Sequence, residues 1–260
     1  MKTIIASVKF IIFALLCCLV VPLQSLILLF HTGKGAYILP FLWQKCVSRL
    51  FRIKVVIHGT PLKSKQTIFM SNHISYLDIP VIGSVLPASF VAKKDVASWP
   101  VFGFLSKLQQ TAFISRERAD ASQAKHALDT MLNNEKSLII FPEGTSTDGR
   151  EVIPFKSSLF SLALKDNLPD LMIQPITLNM DHVDKRPINT QEDRDLYAWH
   201  IEMDTPLADH LWRFAKSKGA QISLTFHEPI RAQDFSDRKT LAKACHNTVS
   251  NGLKNKTDNS

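Results

Sequence analysis

His73 and Asp78 stand five residues apart in the string Asn72-His73-Ile74-Ser75-Tyr76-Leu77-Asp78, just after an apolar run. An imidazole titrates near neutral pH and can take the proton of an alcohol. A carboxylate on its other ring nitrogen fixes the tautomer and stabilises the imidazolium as it forms. Such a pair can make an ordinary hydroxyl nucleophilic; alone, it reads equally as a helix cap beside a histidine bonded to backbone. Three later blocks add to it: Phe113-Ile114-Ser115-Arg116, Phe141-Pro142-Glu143-Gly144-Thr145 and Pro175-Ile176. Arg116 can grip a phosphate with two parallel hydrogen bonds, or merely pair with Glu117 or Asp120 at the surface. Glu143 can bond hydroxyls or hold a neighbouring basic group, and Gly144 permits close backbone approach; a solvated glutamate in a strand-ending turn is the plainer alternative. Lys93 and Lys156 can contact an anionic group such as phosphate, or simply lie in solvent.

These residues need elements to hold them. Positions five apart differ by about 140° around a helix, so His73 and Asp78 cannot pair from the middle of one. Ser75-x-x-Asp78 is a capping-box pattern, which places the strand end near Asn72 and the helix start near Ser75, from where Asp78 can reach back. Strand-like runs occupy 53–57, 67–71, 89–92, 111–114, 137–141, 171–178 and 221–226. Helical periodicity marks 119–133, 157–165 and 239–253. The alternation predicts an α/β fold, a largely parallel sheet flanked by helices, with His73 and Glu143 beyond strand ends on one rim. Charge and Pro187 make 181–194 a surface loop, and 255–260 read as a frayed tail. Trp99, Phe102 and Phe104 can line an apolar groove or belong to the core.

The N-terminal part is different in kind. Nine of the 31 Lys and Arg, and none of the 23 Asp and Glu, precede Asp78, so the remaining 22 bases and 23 acids nearly balance. Residues 10–30 are uncharged and mostly apolar, and as a helix would extend about 31 Å, close to the thickness of a bilayer core. No small-x-small cleavage site follows, which favours a retained anchor over a signal peptide. Pro22 and Gln24-Ser25 leave a kinked span and a re-entrant or interfacial anchor both open. Lys34, Lys45, Arg49, Arg52 and Lys54 follow the segment, a bias that puts the catalytic part on the cytoplasmic side and suits an anionic lipid surface. The chain divides accordingly into an anchoring region, 1–52, and a catalytic domain, 53–254. The basic residues adjoin a membrane-length segment and no nucleic-acid motif occurs, so nucleic acid is not an expected partner. Four cysteines without CxxC spacing and histidines without HExxH give no metal site.

In order and spacing the four blocks resemble the glycerolipid acyltransferase family, best known for the 1-acylglycerol-3-phosphate acyltransferases. The resemblance covers roughly residues 50 to 180. It implies an O-acyltransferase that moves a fatty acyl group from coenzyme A or acyl-carrier protein to a lyso-lipid hydroxyl, with no further cofactor. His73 would be the general base, Asp78 its orienting carboxylate, and Arg116 the phosphate grip of the second block. The tetrahedral oxyanion of such a reaction needs donors, for which backbone N–H groups around His73 and around Gly144-Thr145 are candidates. Many members continue the third block with Arg-Ser, where this chain has Ser146-Thr147, so one phosphate-gripping arginine is missing. The run 141–160 looks like the bacterial lyso-ornithine lipid acyltransferase branch. A lipid thioesterase that activates water with the same histidine, and a non-catalytic membrane-bound binding protein, are the competing readings.

Overall fold

The computed structural model describes residues 1–114, 128–164, 168, 170–200 and 202–257. The apolar runs form β1 (Ile53–His58), β2 (Thr67–Ser71), β3 (Ser89–Lys93), β4 (Ala112–Ile114), β5 (Leu138–Ile140), β6 (Met172–Val183), β7 (Arg186–Pro187), β8 (Ala220–Phe226) and β9 (Ile230–Arg231). They make one sheet in the order β1-β8-β6-β2-β5-β3-β4, with β7 and β9 paired to β6. Pairing is parallel except where β6 meets β7, β8 and β9.

Burial on both faces explains why the central strands read as continuous apolar runs rather than alternating ones. Every residue of β2 is buried. Phe69 packs to one side with α2 (Ile38–Leu50), α3 (Asp78–Gly83) and the helix Leu207–Lys216, while Ile68 and Met70 pack to the other with the C-terminal helix Arg238–Thr257. Before these runs lies α1 (Lys2–Phe30), which packs against α2 and the helix Leu207–Lys216, and between β3 and β4 lies the short α4 (Phe102–Leu108), which packs against α1.

Several boundaries differ from those read in the sequence. The strand before His73 ends at Ser71, but α3 begins only at Asp78, because Asp78 draws the Ile74 and Ser75 amides into a turn ahead of the helix. The Ser75 hydroxyl accepts from the Leu77 amide rather than from that of Asp78. Residues 181–183, read as loop, extend β6; the turn into β7 is a two-residue hairpin with Asp184 and Lys185 at φ 52° and 64°, the left-handed geometry that suits the twist of paired strands. The expected helix at 157–165 is a 3₁₀ helix, Ser157–Leu162. Of the helix expected at 119–133, residues 128–133 are helical and the rest lie outside the described residues. The C-terminal helix continues through Thr257, so the first residues of the expected tail are helical.

Candidate active site

β2 and β5 are parallel neighbours, with Met70 opposite Ile140, so the chain leaves both strands at the same rim. The loop after β2 carries His73 and the loop after β5 carries Glu143. Asn72 ties the first loop to β6: its amide donates to the Leu178 carbonyl and its oxygen accepts from the Leu178 amide, at 2.9 and 2.7 Å.

Nδ1 of His73 lies 2.8 Å from Oδ2 of Asp78. The same oxygen accepts from the Ile74 and Ser75 amides at 2.7 and 2.9 Å, and Oδ1 accepts from the Tyr197 hydroxyl at 2.9 Å. Asp78 is 0% exposed, so these donors replace water, without which a buried carboxylate is heavily penalised. A carboxylate can only accept, so the shared proton sits on Nδ1 and Nε2 carries the lone pair. The imidazole, its side chain 20% exposed, stacks on Phe141 with ring centroids 4.0 Å apart and planes 16° from parallel. A base with one nitrogen fixed and its ring plane set is what proton abstraction from an alcohol requires.

Glu143 is buried in the second loop. Oε1 accepts from the His73 amide at 2.8 Å and Oε2 from the Ile153 amide at 3.1 Å. Both oxygens therefore serve backbone. Burial pushes its carboxyl up to about 8, with the two amide bonds opposing and the charge of Asp78 adding to the rise. The Thr147 amide bonds the His73 carbonyl at 2.9 Å, so the two loops are joined at both the amide and the carbonyl of His73.

These bonds engage most of the candidate oxyanion donors. The amides of His73, Ile74 and Ser75 are taken by Glu143 and Asp78, and that of Gly144 by the Phe141 carbonyl. Gly144 has φ +70°, and a Cβ there would collide with the Lys156 ammonium, which places Lys156 against the Glu-Gly-Thr turn. The Lys156 amide also bonds the Pro142 carbonyl at 2.9 Å. Thr145 follows in the same turn, half-buried. Lys93 ends β3, two strands from β2 and on the same rim. Arg116 lies outside the described residues. Trp99 packs edge-on against Trp199 at 6.1 Å, while Phe104 is exposed on α4. Among the described residues no group of three or more His, Cys, Asp or Glu side chains is placed to hold a metal ion.

Tyr197, a lone tyrosine between a charged stretch and a tryptophan, carries no signal in the sequence. Phe141 lay inside a recognised block, but its role against the imidazole was invisible there.

The acyltransferase family model matches residues 54–179, a span that runs from β1 into β6 and includes both loops. A lyso-ornithine lipid O-acyltransferase of Rhodobacter capsulatus is 33% identical over 218 residues, 83% of this chain and 75% of that protein. The chain belongs to the acyltransferase family. A second lyso-ornithine lipid O-acyltransferase, from Brucella abortus, is 30% identical over 88% of this chain and 86% of its own length. The fold of this acyltransferase matches the crystal structure of the 1-acyl-sn-glycerophosphate acyltransferase of Thermotoga maritima, with a TM-score of 0.67 at 20% identity over 99% of this chain and 98% of that one. Tyr197 lies beyond the span of the family model.

Proposed function

We propose that this acyltransferase moves a fatty acyl group from a thioester, on coenzyme A or acyl-carrier protein, to the hydroxyl of a lyso-lipid bearing an amino-acid head group, at a membrane surface. The observation that carries the reaction is the 2.8 Å contact of His73 with a wholly buried Asp78. Nε2 takes the acceptor's hydroxyl proton as its oxygen attacks the thioester carbonyl. The tetrahedral adduct collapses with loss of the thiolate, which recovers the proton from His73. Asp78 stabilises the imidazolium between the two steps, and no acyl-enzyme is needed.

Two observations favour an aminolipid over a phosphate-bearing acceptor. Ser146 occupies the position where many family members carry arginine, and its hydroxyl is engaged 2.7 Å from the Trp199 carbonyl. The relatives from R. capsulatus and B. abortus are both lyso-ornithine lipid acyltransferases.

The membrane reading rests on α1. Ile4, Val8, Ile11, Leu15, Leu19, Leu23, Leu26 and Phe30 recur at three and four residues and are all exposed. On the opposite side Lys9 donates to the Ala215 carbonyl at 2.8 Å, and Gln24 donates to those of Ala36 and Leu108 at 2.9 and 3.1 Å. Lys9 and Gln24 are about 22 Å apart along a helix, so α1 is tied to the domain over most of its length and presents an apolar stripe outward. That arrangement suits a helix lying in one leaflet better than one crossing the bilayer, with the basic excess facing anionic lipid on the cytoplasmic side.

Offering the purified protein a radiolabelled acyl donor with lyso-ornithine lipid and lysophosphatidate side by side tests the reading. Label is expected in the aminolipid. Label only in phosphatidate would overturn the head-group assignment, and free fatty acid released without any acceptor would replace the transferase by a thioesterase.

A further inference from the structure

Tyr197 belongs to no regular element, yet it is 0% exposed and its hydroxyl donates to Oδ1 of Asp78 at 2.9 Å. Its ring meets Phe214 edge-on at 6.0 Å, and the Tyr197 and Ala198 amides both bond the Arg194 carbonyl, which closes the chain into a turn around it. Two residues on, the Trp199 amide bonds the Ile74 carbonyl at 3.0 Å and the Trp199 carbonyl accepts from Ser146. The segment 194–199 is therefore a strap across both catalytic loops, and the tyrosine is the point where it touches the acid of the pair.

We propose that Tyr197 is a positioning residue for the proton transfer: its hydroxyl holds Oδ1 of Asp78, keeping the carboxylate charged and its other oxygen aimed at Nδ1 of His73. Oδ2 is already shared among His73, Ile74 and Ser75. Without the phenol, Oδ1 would be a buried charged acceptor with no donor, free to rotate or to take a proton, and either change would loosen the imidazole. Burial and the neighbouring Asp78 charge push the phenol well above its ordinary range, so it stays a neutral donor wherever the enzyme works. The inference rests on the reading of His73 as general base. Among the described residues, the titratable groups that act on Asp78 or Tyr197 include His73, Tyr76 and Glu143.

Tyr197→Phe keeps the ring against Phe214 and removes only the donor. The anionic state of the His73–Asp78 pair has then lost a hydrogen bond. The expected result is a fall in kcat of about 10- to 100-fold with KM for the lyso-lipid little changed, and an acid limb of the kcat/KM profile displaced upward. Phe214→Leu disturbs the same packing but leaves the hydroxyl; it should lower Tm and leave the acid limb where it was. The proposal is overturned if Tyr197→Phe retains the wild-type kcat and acid limb, or if Phe214→Leu displaces the limb as far. His73→Ala separates the two layers: a dead His73→Ala with a wild-type-like Tyr197→Phe defeats only the role of Tyr197, whereas an active His73→Ala defeats the general base itself.

Discussion

The loops after β2 and β5 are built alike and do different work. Each leaves a buried parallel strand at the same rim and each buries a carboxylate, Asp78 at 0% and Glu143 at 2% exposure. Asp78 divides its oxygens among an imidazole, a phenol and two amides. Glu143 gives both of its oxygens to amides, one of them that of His73. The first acid faces the base that would accept the proton; the second holds the backbone from which that base projects. Burial and a place beside the histidine therefore do not make a carboxylate catalytic. What distinguishes the two is whether the partner is a group that changes charge during the reaction.

Asp78→Asn should show the larger effect. An asparagine can keep its oxygen toward His73, Ile74 and Ser75 and turn its amide toward Tyr197, whose hydroxyl can accept, so folding is expected to survive. The charge that stabilises the imidazolium is lost. A fall in kcat of roughly 100- to 10,000-fold is predicted, with Tm within a few degrees of wild type. A variant that unfolds instead would make Asp78 a structural acid like Glu143, and the contrast between the loops would collapse.

Glu143→Gln sharpens the contrast from the other side. A glutamine can accept from only one of the two amides and points a donor at the other, a loss of about 1–3 kcal/mol in stability and a smaller loss of activity, about 10-fold, through displacement of His73. The pH dependence gives a second signature. Burial raises the Glu143 carboxyl from an ordinary 4.5 to about 8 in the folded protein. The folded state thus holds a proton that the unfolded chain releases, and the stability from the neutral acid is complete below about 4.5 and lost as pH rises through about 8. Thermal melts should show wild-type stability declining across that window and the Gln variant declining less. Parallel curves would contradict the assignment.

Much of this arrangement is legible in the sequence. Thr67–Ser71 needed burial on both faces to read as a continuous apolar run, and that run fixed where His73 would emerge. Ser75 and Asp78 marked the turn between strand and helix, although the helix starts later than a capping box suggests because the carboxylate is spent on the turn. Contacts distant in sequence were the part that could not be read. Tyr197 meets Asp78 across 119 residues, and Glu143 meets the His73 amide across 70, and a glutamate gives no sign in sequence of whether it will face a substrate or a peptide group. The same holds for α1: its hydropathy announces an anchor, but only the bonds from Lys9 and Gln24 show it lying along the domain.

The central claim is that His73 takes the acceptor's proton, and its most direct test is the single-turnover rate of His73→Ala with acyl donor and lyso-lipid presented in vesicles. The account predicts a loss of at least about 1,000-fold with vesicle binding and Tm preserved. Transfer within about tenfold of the wild-type rate would contradict it.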